Sequence, residues 1–161
     1  MRVVVQRVAC ASVDVDEMAV GKIDEGVLLF VGVGREDAVS EAAGLAEKVA
    51  NLRIFPDGEG KSNLSLLDTG GSALVISQFT LYADCRRGRR PSFTDAADPA
   101  PAEALVEEFR LTLERLGVRT ASGRFGAHMV VNLTNDGPYT IILDSDALSS
   151  SRSRRGLPLG D

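Results

Sequence analysis

The sequence predicts an α+β fold in which a largely antiparallel, barrel-like β-sheet core is covered by two helices. Three observations lead there. Short apolar or alternating runs recur along the whole 161-residue chain, only two stretches carry apolar residues at three- and four-residue spacing, and glycines and prolines punctuate the runs.

Residues 2–9 begin as an apolar, β-branched run and residues 11–16 alternate as A-S-V-D-V-D, which predicts two strands. Residues 26–34, GVLLFVGVG, form an apolar run bounded by glycines and too short for a helix, hence a buried strand. Over residues 38–52, Val39, Ala42, Ala43, Ala46, Val49 and Ala50 fall on one stripe, with Glu41, Glu47 and Lys48 off it, so a helix with a small-residue face is expected. Residues 53–55 return to strand chemistry, and P-D-G-E-G at 56–60 marks a turn into residues 63–67, a hairpin. Residues 72–82, SALVISQFTLY, are the longest β-like segment, followed by a polar, arginine-rich loop from Ala83 to about Pro99. Pro101 can open the second helix, whose stripe of Leu105, Val106, Phe109, Leu113 and Leu116 ends at Gly117.

Residues 118–121, 128–134 and 139–143 complete the strands. The last two flank N-D-G-P-Y-T, residues 135–140, which reads as a hairpin turn around Asp-Gly. Pro138 is superfluous to such a turn, since it removes a donor and lowers the cost of a cis peptide from about 3 kcal/mol to about 1 or less. Either the loop is overdetermined or it presents its carbonyls to something.

Composition bounds the function. The chain has the size of one domain, its 44% hydrophobic and 25% charged residues match a soluble globular protein, and neither a signal peptide nor an apolar run of about 18 residues appears. A cytoplasmic protein that does not engage a membrane is expected. Cys10 and Cys85 lie far apart with no C-x-x-C spacing, so both read as reduced thiols rather than a disulfide or zinc site. The net charge of -5 argues against a generic nucleic-acid coat, although local patches can override a global sign. Residues 1–148 form the expected domain, and 149–161, SSSRSRRGLPLGD, lack apolar periodicity and read as a disordered basic tail.

Common catalytic engines fail on spacing. G-E-G-K-S at 58–62 resembles the end of a phosphate loop, but Phe55 stands where its first glycine is needed. G-V-G at 32–34 starts a dinucleotide fingerprint, but Asp37 occupies the third glycine position. A nucleophilic serine or cysteine needs a positioned base, and the one histidine, His128, sits in an alternating H-M-V-V-N-L run where it reads as a solvated or satisfied side chain. Backbone groups and the substrate itself become the candidates for the chemistry.

S-Q-F-T-L at 77–81 and N-D-G-P-Y-T at 135–140, together with Q-R-V at 6–8, R-I-F at 53–55, R-P-S-F at 90–93 and G-R-F at 123–125, give the chain a specific family likeness. From residue 1 to about 145 it resembles the D-aminoacyl-tRNA deacylases. The resemblance implies a carboxylic ester hydrolase that frees tRNA from a D-amino acid, a proofreading step in translation. It also implies the acceptor end of aminoacyl-tRNA as partner and a homodimer whose Gly-Pro turn enters the other subunit's pocket; no cofactor is expected, and one histidine without a nearby cysteine argues against a metal.

For the substrate-binding segment, Asn135, Gly137, Pro138, Tyr139 and Thr140, the resemblance implies a cis Gly137-Pro138 bond whose carbonyls receive the substrate's α-ammonium. An L side chain would then strike the backbone wall while a D side chain points outward, and glycine would be accepted to some degree. Arg7 would bond to this loop, work suited to a guanidinium's fixed donors. At the catalytic segment, Ser77, Gln78, Phe79 and Thr80, the implied oxyanion donor is the N–H near Phe79, joined by that of Thr80, with Ser77 and Gln78 shaping the adenosine pocket. Water activation falls to the terminal ribose 2′-hydroxyl; Thr80 as a side-chain nucleophile is the alternative. Arg86, Arg87, Arg89 and Arg90 could meet acceptor-stem phosphates or remain a solvated loop, and Phe93 could stack a base or simply pack.

Two departures matter. Tyr139 stands where the family usually has valine, and His128 where an aspartate usually precedes the methionine. A related animal deacylase specific for L-alanine carries G-P-Y-T-H, whereas here Ile141 follows Thr140 and S-Q-F-T-L is intact. An L-alanine-type deacylase and a nucleic-acid-binding module without turnover stand as alternatives.

Overall fold

The computed structural model describes residues 1–153. Its order is β1 (Arg2–Val15), β2 (Met18–Ile23), β3 (Gly26–Gly32), α1 (Val39–Ala50), β4 (Phe55–Pro56), β5 (Ser62–Leu64), α2 (Leu66–Thr69), β6 (Ser72–Ser77), a 3-10 turn (Phe79–Tyr82), α3 (Pro99–Arg115), β7 (Arg119–Ser122), β8 (Val130–Asp144) and α4 (Ser145–Ser153).

The expected α+β class and barrel-like core are present. The main sheet runs β2-β1-β3-β6-β7, with β8 paired to β1. β1 is antiparallel to β2, β3 and β8, whereas β3–β6 and β6–β7 are parallel. The sheet curls until β2 approaches β7 so closely that a Cβ on Gly21 would lie 2.6 Å from the Ser122 carbonyl oxygen. One core lies between the sheet and helices α1 and α3, where Val5, Leu29 and Val31 join Leu45, Val49, Phe109 and Leu113. A second, formed by Val8, Val13, Ile23, Leu28, Leu74 and Ile76, gathers on the other side of the strands. These alternate faces account for the alternation read in β1.

Several elements differ from expectation. The two N-terminal strands are one, and β2 follows a two-residue turn at Asp16 and Glu17, both with positive φ, a hairpin geometry without the usual glycine. Residues 72–82 do not continue as a strand: the ladder stops at Ser77, Gln78 still donates to the Val31 carbonyl at 2.8 Å, and the chain then coils into the 3-10 turn. Among the described residues four helices stand where two are expected. The short α2 opens with Ser65 and Asp68 capping each other and ends at a left-handed Gly70, a signal present in S-L-L-D. Residues 149–153, expected in an unstructured tail, belong to α4; residues 154–161 lie outside the described residues.

The largest correction concerns N-D-G-P-Y-T, which is not a hairpin turn. β8 pairs with the single strand β1 throughout, Asn135 opposite Val8 and Thr140 opposite Gln6. The residues between them, 136–139, therefore stand opposite Arg7 alone and bulge out of the ladder. A long partner strand on both sides of the Asp-Gly overrides its turn propensity, and a bulge, being unpaired in the ladder, tolerates a proline without an N–H to donate.

Candidate active site

Where β6 gives way to the 3-10 turn, a cavity of about 620 Å³ opens. Val31, Ile76, Ser77 and Val131 line it from the sheet, Val33 from just past β3, Ala102 and Val106 from α3, and Gln78 and Phe79 from the start of the turn. The turn packs so closely on β3 that a Cβ on Gly32 would meet the Gln78 carbonyl oxygen at 2.9 Å, so glycine is required at that position. Among the described residues the N–H groups of Phe79 and Thr80 have no hydrogen-bond partner, as the start of a helical turn leaves them. They are fixed donors available to an oxygen anion.

Phe79 is 58% exposed and meets the Phe93 ring edge-on, with centroids 5.0 Å apart. Both rings line the cavity. Gln78 donates from its amide to the Thr80 hydroxyl at 2.5 Å, and Thr80 is exposed and outside the cavity lining. Ser77 lines the cavity at the end of β6.

Three lining residues carry no signal of that role in the sequence. Arg35 reaches the cavity from the loop after β3, while His128 and Met129 reach it from the G-R-F-G-A-H-M segment between β7 and β8. Residues on such irregular connections have no periodicity to mark the side they face. His128 is exposed at this edge rather than held in the core.

The 136–139 bulge is built around Arg7, which is 8% exposed. Its Nε donates to the Asp136 carbonyl at 2.8 Å, Nη2 to the Gly137 carbonyl at 3.5 Å, and Nη1 to the Ile54 carbonyl at 2.5 Å. Nε also lies 3.2 Å from the Asp136 carboxylate. Tyr139 covers the guanidinium, whose central carbon is 4.5 Å from the ring centroid, and donates its hydroxyl to Ser62 Oγ at 2.5 Å. Beside the bulge, Asn135 accepts from the Gln6 amide at 3.2 Å, and Thr140 stands exposed opposite Gln6. None of Asp136, Gly137 and Tyr139 lines the cavity: one chain does not bring the two halves of the expected site together.

The arginine-rich loop is closed at its base by reciprocal backbone bonds between Asp84 and Ser92, at 2.7 and 2.9 Å, with Gly88 left-handed near its tip. Arg86 grips Asp84 with two bonds of 2.8 and 2.7 Å, which together with the Arg86 backbone N–H hold the Asp84 carboxyl down at about 2. Arg87, Arg89 and Arg90 are exposed and form no ion pair among the described residues. No cluster of three or more His, Cys, Asp or Glu side chains suited to a metal ion occurs among the described residues, and none of their helices is long and apolar enough to cross a membrane.

A curled mixed sheet with an open cavity, and two unpaired main-chain donors in the turn beside it, defines an α+β protein of the barrel-like class. The comparisons with known proteins give that class its family. A family model described as D-Tyr-tRNA(Tyr) deacylase matches residues 4–144. The D-aminoacyl-tRNA deacylase of Roseiflexus castenholzii is 59% identical over 154 residues, covering 96% of this chain and 98% of that relative. That of Thermomicrobium roseum is 61% identical over 148 residues, covering 92% and 96%. Among solved structures, the c-Myc DNA unwinding element binding protein superposes with a TM-score of 0.84 at 36% identity, covering 89% of this chain and 98% of that one. A probable eukaryotic D-amino acid tRNA deacylase shares the fold, with a TM-score of 0.76 at 17% identity over 88% of this chain and 97% of that one. The chain belongs to the D-Tyr-tRNA(Tyr) deacylase family.

Proposed function

We propose that this protein hydrolyses the ester of D-aminoacyl-tRNA in the cavity beside Phe79. The observation that supports the reading is the pair of unpartnered N–H groups at Phe79 and Thr80, in the turn that borders the cavity, which the reading sets against the ester oxygen as it develops negative charge. Removing one such donor costs about 10²–10³ in rate in acyl-transfer enzymes that depend on it. The cavity accepts the terminal adenosine, with Ser77 and Gln78 shaping its wall, and the ribose 2′-hydroxyl activates the water.

Chirality is assigned to the Gly137-Pro138 carbonyls, with the peptide between them cis and both oxygens turned to the α-ammonium. Because the bulge lies outside the cavity of its own chain, the complete site takes it from a second copy. An open β8 edge with Ile142 73% exposed and Leu133 39% exposed supports such a homodimer. The arginines at 87, 89 and 90 meet the acceptor stem.

Incubation with D-tyrosyl-, L-tyrosyl- and glycyl-tRNA tests the reading. Release of D-tyrosine, with slower release of glycine and retention of L-tyrosine, is expected; preferential L-release would overturn it. Thr80→Ala is expected to keep substantial activity and a 2′-deoxy terminal adenosine to lose most of it; the reverse would make Thr80 the nucleophile. The 36%-identical neighbour, named for binding a DNA unwinding element, favours a second reading, nucleic-acid binding without turnover, which predicts complex formation and no release of any amino acid.

A further inference from the structure

The G-E-G-K-S segment that fails as a phosphate loop has a place in the structure. Its last residue, Ser62, begins β5 and accepts the Tyr139 hydroxyl at 2.5 Å, tying the end of the bulge to the β4–β5 hairpin. The start of the bulge is tied to the same region through Arg7, which bonds the Asp136 carbonyl with one nitrogen and the Ile54 carbonyl, next to β4, with another. Between these two ties lies the Gly137-Pro138 pair.

The hairpin is itself stiff. The Asp57 carboxylate accepts from the Glu59 and Lys61 backbone N–H groups at 2.9 and 3.0 Å and from the Asn63 amide at 2.6 Å, and Arg53 donates to the Asn63 carbonyl at 2.7 Å. A loop so closed by its own bonds can hold the far side of the bulge in place. Valine at residue 139 could neither cover Arg7 with a ring nor reach Ser62.

We propose that Ser62 and Tyr139 are positioning residues for chiral discrimination, a latch that fixes the angle at which the bulge presents the Gly137 and Pro138 carbonyls. This rests on the reading of those carbonyls as the chiral gate. Releasing the latch widens the range of bulge orientations and admits poses in which an L side chain avoids the wall. Selectivity then falls more than binding does, because the backbone acceptors remain while their direction blurs.

The experiment measures kcat/KM of the full chain on D- and L-tyrosyl-tRNA for Ser62→Ala, Tyr139→Phe, the double variant, Ser62→Thr and Pro138→Ala. Ser62→Ala and Tyr139→Phe should each lower the D-to-L ratio by roughly three- to ten-fold, the effect of one hydrogen bond. The double variant should fall no further, and Ser62→Thr should restore the ratio. A ratio within two-fold of the parent in Ser62→Ala, with Pro138→Ala collapsing it, overturns the latch and leaves the carbonyl gate standing. A ratio unmoved by Pro138→Ala overturns the gate and the latch with it. Ser62 is exposed, so Ser62→Ala decides the matter even if the tyrosine variant folds poorly.

Discussion

Arg7 holds Asp136 twice: one guanidinium nitrogen donates to its backbone carbonyl at 2.8 Å and stands 3.2 Å from its carboxylate. A single side chain on β1 thereby organises the four residues that β8 inserts opposite it. The guanidinium is nearly buried yet fully engaged, by three carbonyls, one carboxylate and an aromatic face. That arrangement suits a planar donor with several fixed N–H groups and suits no other side chain.

Arg7→Lys is therefore expected to behave as a severe substitution. A point-charge ammonium cannot reach the Asp136, Ile54 and Gly137 carbonyls together, so unfolding free energy should fall by about 1.5–3 kcal/mol, the worth of a charge-assisted bond. Activity on D-tyrosyl-tRNA should fall at least about ten-fold, a factor corresponding to about 1.4 kcal/mol. Urea unfolding and single-turnover hydrolysis measure the two effects; unchanged values in both would remove Arg7 from the bulge's support.

The arginine loop should contribute unequally to tRNA binding. Arg87, Arg89 and Arg90 stand without ion-pair partners among the described residues, whereas Arg86 is committed to Asp84. Replacing the three unpaired arginines by alanine should flatten the slope of log K against log salt by about 2 to 3, at roughly 0.7–0.9 for each phosphate no longer neutralised. Arg86→Ala alone should flatten it by less than any one of them. Filter binding across a salt series reads both slopes.

The Asp84–Arg86 pair also predicts a titration. Hydrogen bonds from Arg86 lower the Asp84 carboxyl from its ordinary 3.8 to about 2. A depressed folded value means that the pair's contribution is present above the unfolded value and is lost as pH falls through about 2. Carboxyl NMR should find the midpoint near 2, and Arg86→Ala should return it toward 3.8. A midpoint near the ordinary value in the parent protein would mean the loop is not closed in solution.

Just before β1, the Met1 ammonium is buried against Asp37 and donates to Ser145 Oγ at 2.6 Å. Asp37 also accepts from the Gly34 backbone N–H at 2.6 Å and the Tyr82 hydroxyl at 3.3 Å, while burial and Asp37 itself raise the tyrosine's titration above its ordinary value. Asp37→Ala would leave a buried cation without its counter-charge, and a loss of about 3–5 kcal/mol in guanidinium unfolding is expected. A loss below about 1 kcal/mol would show that solvent reaches the ammonium.

What the sequence alone determined is local. The apolar stripes marked α1 and α3, the alternation in β1 marked its two faces, and the S-Q-F-T-L and N-D-G-P-Y-T motifs marked the two segments on which the proposed chemistry rests. Periodicity reports which face of an element is buried, because that depends on the element's own geometry. Tertiary structure decided the rest. Asp-Gly became a bulge because β1 offers one continuous partner across it, the last residues of S-Q-F-T-L left the sheet to expose two backbone donors, and Tyr139 found Ser62 from 77 residues away along the chain. Strand register and contacts at such separations are fixed only when the whole sheet closes, so no local pattern of side chains encodes them.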